Sequence, residues 1–297
     1  MYDEWSPATA AWLADHTVFG RTVVSGTTLL ELCRAALAVA RPDEPADVAD
    51  LLLLAPLVLI FYKTFEHGLA PPIDAITSPD GLHALKLSLL MVAIAVPLNT
   101  IFGIGCALLL VRHKRPGNAL IDAIINLPFA ISPVVIGLSL FLLYGTKGWF
   151  GPGLAEVGIE VLFSVPGMVL ASIFVSLPFV VRETVPVLQE IGTEQEQAAS
   201  TLGANAWQTF WRITLPAIRW GVAYGVVLTT ARVLGEFGAV SIVSGQISGE
   251  TETLPLFVEK QFQNFNQPGA FGASVLLAVL ALTTLLAMNV LKRKEDA

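Results

Sequence analysis

The stretch Glu194–Gly221, EQEQAASTLGANAWQTFWRITLPAIRWG, follows a long apolar run at Pro166–Val181 and reaches into another that begins at Ala217. Its first part is polar and carries helix punctuation. Thr193-Glu194-Gln195-Glu196 fits a capping box, in which the Thr193 hydroxyl accepts the Glu196 amide and the Glu196 carboxylate reaches back to the Thr193 amide. Glu194 and Glu196 also complement the positive end of a helix. Gly203 suits a left-handed stop. These signals predict a helix of about two to three turns, with Ala198, Ala199 and Leu202 on one side, where small side chains allow close backbone approach. A second short helix is expected from an Asn205 cap through Trp207, Phe210, Trp211 and Ile213, before Leu215-Pro216 opens the next apolar run. Two readings of this loop stand. It is either an interfacial hairpin with Trp207 and Trp211 resting on lipid, or a surface offered to a soluble partner.

Working outward, the 297 residues are 54% hydrophobic and only 14% charged, against about 25% charged in soluble domains. The missing charge is concentrated in long apolar runs, so the chain reads as an all-α, polytopic membrane helix bundle. A bilayer core needs roughly 20 apolar helical residues. Five clear spans meet or approach that length: Leu85–Val111, Ala119–Tyr144, Pro166–Val181 (extendable into RETVPVL), Ala217–Val243 and Phe271–Leu291. Leu51–Tyr62 is a truncated first span. Internal residues such as Pro97, Asn99, Asp122, Asn126, Pro128 and Pro133 are tolerable only where neighbouring helices or a wet cavity satisfy the freed polar groups.

The net charge of −7 and the lack of a basic patch speak against nucleic acid as a partner. Cys33 and Cys106 make no disulfide framework. The chain contains no G-x4-G-K-[ST] phosphate loop. Basic residues set the expected orientation. Arg112, Lys114 and Arg115, then Arg182, Arg212 and Arg219, then Lys292, Arg293 and Lys294 fall in one set of loops. The alternate loops hold Lys63 and Lys86, Lys147, and Lys260. The loop after Pro166–Val181 and the C-terminus are therefore expected in the cytoplasm, with loops 145–165 and 245–269 outside.

Ala198-Ala199, Gly203, Ile213, Leu215 and Pro216 match throughout the spacing E-A-A-x3-G-x9-I-x-L-P, and so resemble the EAA loop of bacterial ABC-importer permeases. The resemblance implies that residues 190–216 form a coupling loop whose helix sits in a groove of a cytoplasmic ATPase. Gln197 stands where that motif has Glu. Glu196 points about 100° away on a helix and cannot simply substitute. Thr193, Glu196, Gln197, Ala198, Ala199, Gly203, Ile213, Leu215 and Pro216 are the coupling residues that follow.

RVLGEFGAVSIVSG (232–245), with Thr251, Thr253-Leu254-Pro255-Leu256 and Glu259, resembles the sulfate/thiosulfate branch of these permeases. So do residues 83–103 and 164–196. The molybdate branch also uses GEFGA and TLPL, and is the competing cargo class. The resemblance spans residues 51–297, an inner-membrane permease domain. It implies a second, homologous permease, two copies of an ATPase that binds ATP and Mg2+, and a periplasmic sulfate-binding protein, with no cofactor or metal on this chain itself. Arg232 and Glu236, four apart in mid-span, pair with each other or line a pathway with Ser241. Pairing is the preferred reading, because Glu236 would neutralise the site.

Residues 1–50 read differently. WLADHTVFGRTVVSGTTLLEL (12–32) resembles the opening of a polyketide-synthase dehydratase domain, whose H-x3-G-x4-P motif would place a base at His16 and a turn at Gly20, with Ser25 at the proline position. No acidic partner follows, so this is expected to be a partly disordered foreign fragment without dehydratase activity, joined near residues 51–59 as in a chimera. Thr27–Ala40 reads as a short amphipathic helix. A further rival is a non-transporting membrane interaction protein damaged by loss of its first span.

Overall fold

The computed structural model describes residues 17–18, 21–22, 58–66, 68–113 and 116–293. His16, Gly20, Ser25, Cys33, the amphipathic segment 27–40 and residues 51–57 lie outside them. Residues 58–65 are helical, continuing the apolar run of the truncated first span. Thr17–Val18 (β1) and Arg21–Thr22 (β2) pair antiparallel, the sole β pairing among the described residues. All other regular structure described is helical.

Helix α1 (Ala70–Thr77) leads into the long α2 (Pro79–Arg112), whose Ser78 cap accepts the Gly81 amide. Next come α3 (Asn118–Ala130), α4 (Pro133–Tyr144), the short α5 (Gly151–Glu156) and α6 (Val165–Glu190). Two small helices, α7 (Glu194–Thr201) and α8 (Ala206–Thr209), precede α9 (Leu215–Leu234). The chain closes with α10 (Gly238–Val243), α11 (Leu254–Gln263) and α12 (Gln267–Arg293).

Among the described residues, four helical segments are long and apolar enough to cross a membrane: Pro79–Arg112, Val165–Glu190, Ala206–Leu234 and Gln267–Thr284. The fifth expected span, Ala119–Tyr144, is not one rod. It breaks at Ile131–Ser132, and α3 and α4 meet at 111°. Pro133 at the start of α4 removes the donor that would continue α3 and pushes Ser132 into extended backbone. The span read as Ala217–Val243 also breaks, at Gly235–Phe237 between α9 and α10. Arg182 and Arg219, assigned to a loop from the sequence, sit inside α6 and α9.

Helix α6 is the centre of the bundle. It packs most extensively against α2 and α9, and also meets α3, α4 and α10. The main apolar cluster joins Leu87, Met91 and Ala95 of α2 to Met168, Ala171 and Val175 of α6, Ile136 of α4, Val233 of α9, and Ala239, Val240 and Val243 of α10. Close approach depends on small residues, as in other membrane bundles. Val180 of α6 is flanked by Gly103 of α2 and Gly225 of α9. A Cβ at those glycines would lie 2.7 Å from Val180 Cβ and 2.8 Å from Val180 Cα. Asn99, buried in α2, donates to Ser176 Oγ at 2.7 Å and to the Ile173 carbonyl at 3.2 Å, which pins α2 to α6.

This packing gives a direct test. Gly225→Ala should destabilise the chain in detergent by about 1–3 kcal/mol through overpacking, or roughly 2–4 °C of Tm per kcal/mol. Gly105→Ala, two residues from Gly103 on the same helix but in open space, should leave Tm unchanged or raise it. Equal effects of the two, read by thermal unfolding, would contradict the three-helix contact.

Candidate functional site

The segment between α6 and α9 folds as two short capped helices, but the caps are distributed differently from the sequence expectation. Thr193 has helical backbone (φ −117°, ψ 0°) and its side chain caps nothing. A side-chain N-cap needs extended backbone, so the expected Thr193–Glu196 box does not form. The first helix instead starts on the Gln197 amide donating to the Thr193 carbonyl at 3.0 Å. The Gln197 side chain folds back, its Nε2 donating to Thr193 Oγ1 at 3.1 Å. A complete capping box is found one helix later. Asn205 Oδ1 accepts the Gln208 amide at 2.9 Å and Gln208 Oε1 accepts the Asn205 amide at 3.1 Å. The stop at Gly203 is as read. Its φ is +87°, Gly203 N–H donates to Ser200 O at 3.1 Å and Ala204 N–H to Ala199 O at 3.0 Å, the paired bonds of a Schellman termination.

Glu196 is held by residues distant in sequence. Its carboxylate receives Arg112 Nη2 at 3.1 Å and Thr214 Oγ1 at 2.8 Å, both on Oε1, while Arg112 Nε stands 3.0 Å from Oε2 as the ion-pair contact. The same guanidinium donates to the Leu188 carbonyl at 3.1 Å and the Gly192 carbonyl at 2.8 Å. Arg112 at the end of α2 therefore ties together the end of α6, the linker and the first turn of α7, and Glu196 extends the tie to Thr214, directly before α9. Charge-assisted bonds of this kind are roughly twice as strong as neutral ones, which explains why Glu196 turns to Arg112 instead of closing a local cap. The arginine and Thr214 carried no local signal for this role, since the contacts span 84 and 18 residues.

The expected shared side of Ala198, Ala199 and Leu202 is divided. Ala199 is buried, its helix packing on α8 and the turn Phe210–Thr214, whereas Ala198 and Leu202 are exposed, Leu202 at 88%. Leu215 packs inside the chain, against the cluster of Ala107, Leu188 and Ile218, and Ile213 is half-buried; Pro216 is exposed. Between Asn205 and Leu234 the helix is continuous. It widens to a π turn at Phe210–Thr214, directly before Pro216, which has no N–H to donate. Trp207, Phe210 and Trp211 form a mutual aromatic cluster with centroids 5.4 to 6.4 Å apart.

At the break between α9 and α10, Arg232 Nη2 and Glu236 Oε2 are 2.7 Å apart, the i, i+4 pair expected. Glu236 is 2% exposed, and its Oε1 accepts the Ala239 amide at 2.8 Å. The pair thus bridges two helices instead of decorating one. The Ser241 hydroxyl is consumed by its own helix, donating to Gly238 O at 2.9 Å. A separate cationic group was hidden by its assignment to a loop. Arg182 of α6 is exposed, and its Nε donates to Asn126 Oδ1 of α3 at 2.8 Å.

Residues 99–296 match the family described as binding-protein-dependent transport system inner membrane component; residues 2–66 match the polyketide synthase dehydratase domain. The chain is 53% identical over 244 residues to the sulfate transport system permease protein CysW of Synechocystis sp., covering 82% of this chain and 88% of that one. It is 36% identical over 275 residues to the sulfate transport system permease protein CysT of Escherichia coli K12, covering 93% of each. In fold it is similar to a chain of the bacterial alginate ABC transporter in complex with an alginate pentasaccharide-bound periplasmic protein (TM-score 0.71, 20% identity, 89% of this chain and 96% of that chain). With its apolar helices and the broken span between them, this multi-pass membrane protein belongs to the family of binding-protein-dependent transport system inner membrane components.

Proposed function

We propose that the chain is the membrane permease subunit of an ATP-driven sulfate/thiosulfate importer. The observation that carries this reading is the 53% identity to a sulfate permease over 82% of the chain. The level of identity to both a CysW-type and a CysT-type relative supports a second, homologous permease as partner. Two copies of a cytoplasmic ATPase, which would bind ATP and Mg2+, and a periplasmic sulfate-binding protein complete the assembly. The loop 190–216 and the C-terminus face the cytoplasm in this reading, and the chain itself performs no chemistry.

Coupling is assigned to the exposed face of α7 and the turn that ends it. Ala198, Gly203 and Leu202 would meet the ATPase, while Ala199, Glu196 and Leu215 fix the helix to the bundle. Closure of the ATPase dimer on ATP then moves α7 together with the ends of α2, α6 and α9, because Arg112 and Glu196 hold these ends as one body. That motion alternates access to a central pathway. The Arg232–Glu236 pair acts as a structural bridge at the α9–α10 break, consistent with the rule that intramembrane charges face an interior and pair.

Uptake of labelled sulfate, against labelled molybdate, tests the reading in cells that lack their own sulfate permease of this type and supply the partner subunits. ATP-dependent sulfate uptake is expected. Molybdate uptake alone would assign the other cargo class. Co-purification with the ATPase without uptake would identify a non-transporting interaction protein. Residues 1–50 are proposed to be foreign to the permease, a reading supported by the dehydratase match at 2–66. Replacing them with a plain apolar extension of the first span should raise membrane expression and uptake; no gain would count against that division.

A further inference from the structure

Within the segment Gly167–Val181 of α6 every residue is buried or half-buried, and Arg182 is the first exposed side chain to follow. It lies between Pro178 and Pro186, about 12 Å from the C-terminal end of α6 at 1.5 Å per residue. Its surroundings differ from those of the other two arginines that close contacts within the bundle. Arg112 and Arg232 each face a carboxylate. Among the described residues no carboxylate stands within ion-pair distance of Arg182. The two groups its guanidinium contacts are neutral. Nε donates to Asn126 Oδ1, and the guanidinium lies 5.9 Å from the Phe129 ring centroid. Both neighbours are themselves fixed. Asn126 Nδ2 donates to the Asp122 carbonyl at 2.7 Å, and Phe129 meets Phe179 edge-on at 5.3 Å.

Anchoring Nε leaves the Nη1 and Nη2 edge of the guanidinium without an acceptor among the described residues, on a face those residues do not cover. A rigid two-nitrogen edge with an unneutralised charge matches two oxygens of a tetrahedral oxyanion. Such a charge within a spanning helix is costly unless it meets an interior, a wet cavity or an anion. The geometry points to Arg182, oriented by Asn126 and Phe129, as an oxyanion site on the transport pathway, in preference to Arg232, whose charge Glu236 already neutralises. This inference rests on the reading of the chain as an oxyanion permease. The same chemistry would also suit a lipid phosphate of the inner leaflet, so the test separates the two sources.

The experiment uses the assembled transporter, with partner permease, ATPase and binding protein, in proteoliposomes. Wild-type sulfate uptake is measured first; its absence would overturn the proposed function itself. Given that uptake, Arg182→Gln is expected to lower its initial rate by about 10- to 100-fold, the fold-change of one charged hydrogen bond, with ATP hydrolysis by the assembly retained. Arg182→Lys, which keeps the charge and loses the fork, should fall between. In a background with Cys33→Ser and Cys106→Ser, Arg182→Cys should react with a water-soluble cationic thiosulfonate, and sulfate should slow that reaction. Unchanged uptake in Arg182→Gln would overturn the site. So would an introduced thiol that the reagent cannot reach, or one that sulfate does not protect while uptake follows the lipid headgroup composition, since these assign the arginine to lipid. If Arg182→Gln fails to assemble, wild-type uptake kinetics in Arg182→Lys would overturn the site equally.

Discussion

Glu196→Ala is expected to remove most ATP-driven uptake, by about 10-fold or more, while ATP hydrolysis by the assembled transporter persists. The substitution deletes the acceptor for Arg112 and Thr214 at once. Arg112 then keeps only the Leu188 and Gly192 carbonyls, and its charge, 11% exposed in the pair, is left without a counter-ion. Breaking a buried pair costs about 3–5 kcal/mol; the partial exposure of Glu196, 21%, brings this toward the lower end or below it. The more telling effect is mechanical. Without the clamp, α7 can move relative to the ends of α2 and α9, so force delivered at Ala198 is dissipated in the linker. Glu196→Gln, which still accepts one hydrogen bond but carries no charge, should retain intermediate uptake. Arg112→Lys should resemble it, because an ammonium cannot reach three acceptors in one plane as a guanidinium does. The ratio of ATP hydrolysed to sulfate delivered is the reading that separates loss of coupling from loss of fold. A rise in that ratio is expected for Glu196→Ala, and an unchanged ratio with a proportionate fall in protein would show that the clamp is only structural.

Glu236→Ala should give the largest loss of stability. It leaves the Arg232 guanidinium unpaired at the α9–α10 break and strips the Ala239 amide of its acceptor. For a carboxylate that is 2% exposed, removal of one partner is expected to cost about 3–5 kcal/mol, enough to lower both Tm and the yield of assembled transporter. Replacing both charges together, Arg232→Met with Glu236→Gln, should cost much less than the sum of the singles, because no lone charge remains and the glutamine oxygen can still accept from Ala239. If the pair is a structural bridge, that double variant transports sulfate. If Arg232 itself meets the anion, the double variant assembles normally and does not transport.

The bundle was legible in the sequence because apolar run length is a one-dimensional property. Leu85–Val111 and Phe271–Leu291 fall within α2 and α12, and Pro166–Val181 extends through RETVPVL as α6 does. The breaks were less legible. Pro128, Pro133, Gly235 and Gly238 were visible, but a proline or glycine in a span permits a kink without dictating a 111° turn; the turn depends on α4 packing against α10, where Gly137 meets Ala239 closely. In the loop, Gly203 and Asn205 act through neighbours a few residues away, so their roles were visible in the local pattern. Thr193-x-x-Glu196 had the letters of a capping box, yet a stronger, charged partner 84 residues earlier took the glutamate. Arg182 counts as a loop charge on apolar patterning because the run ends at Val181 while α6 continues to Glu190; Arg219 stands at the edge of the run that opens at Ala217, in the first turns of α9.

Coupling of this kind requires α7 to present Ala198 to an ATPase in the cytoplasm. Ala198 is exposed, so Ala198→Cys, in a background with Cys33→Ser and Cys106→Ser, can be probed with a membrane-impermeant thiol reagent in cells carrying the full transporter. The account predicts no labelling in intact cells, labelling once the inner membrane is opened, and protection by the bound ATPase. Labelling of intact cells from the outer face would contradict it.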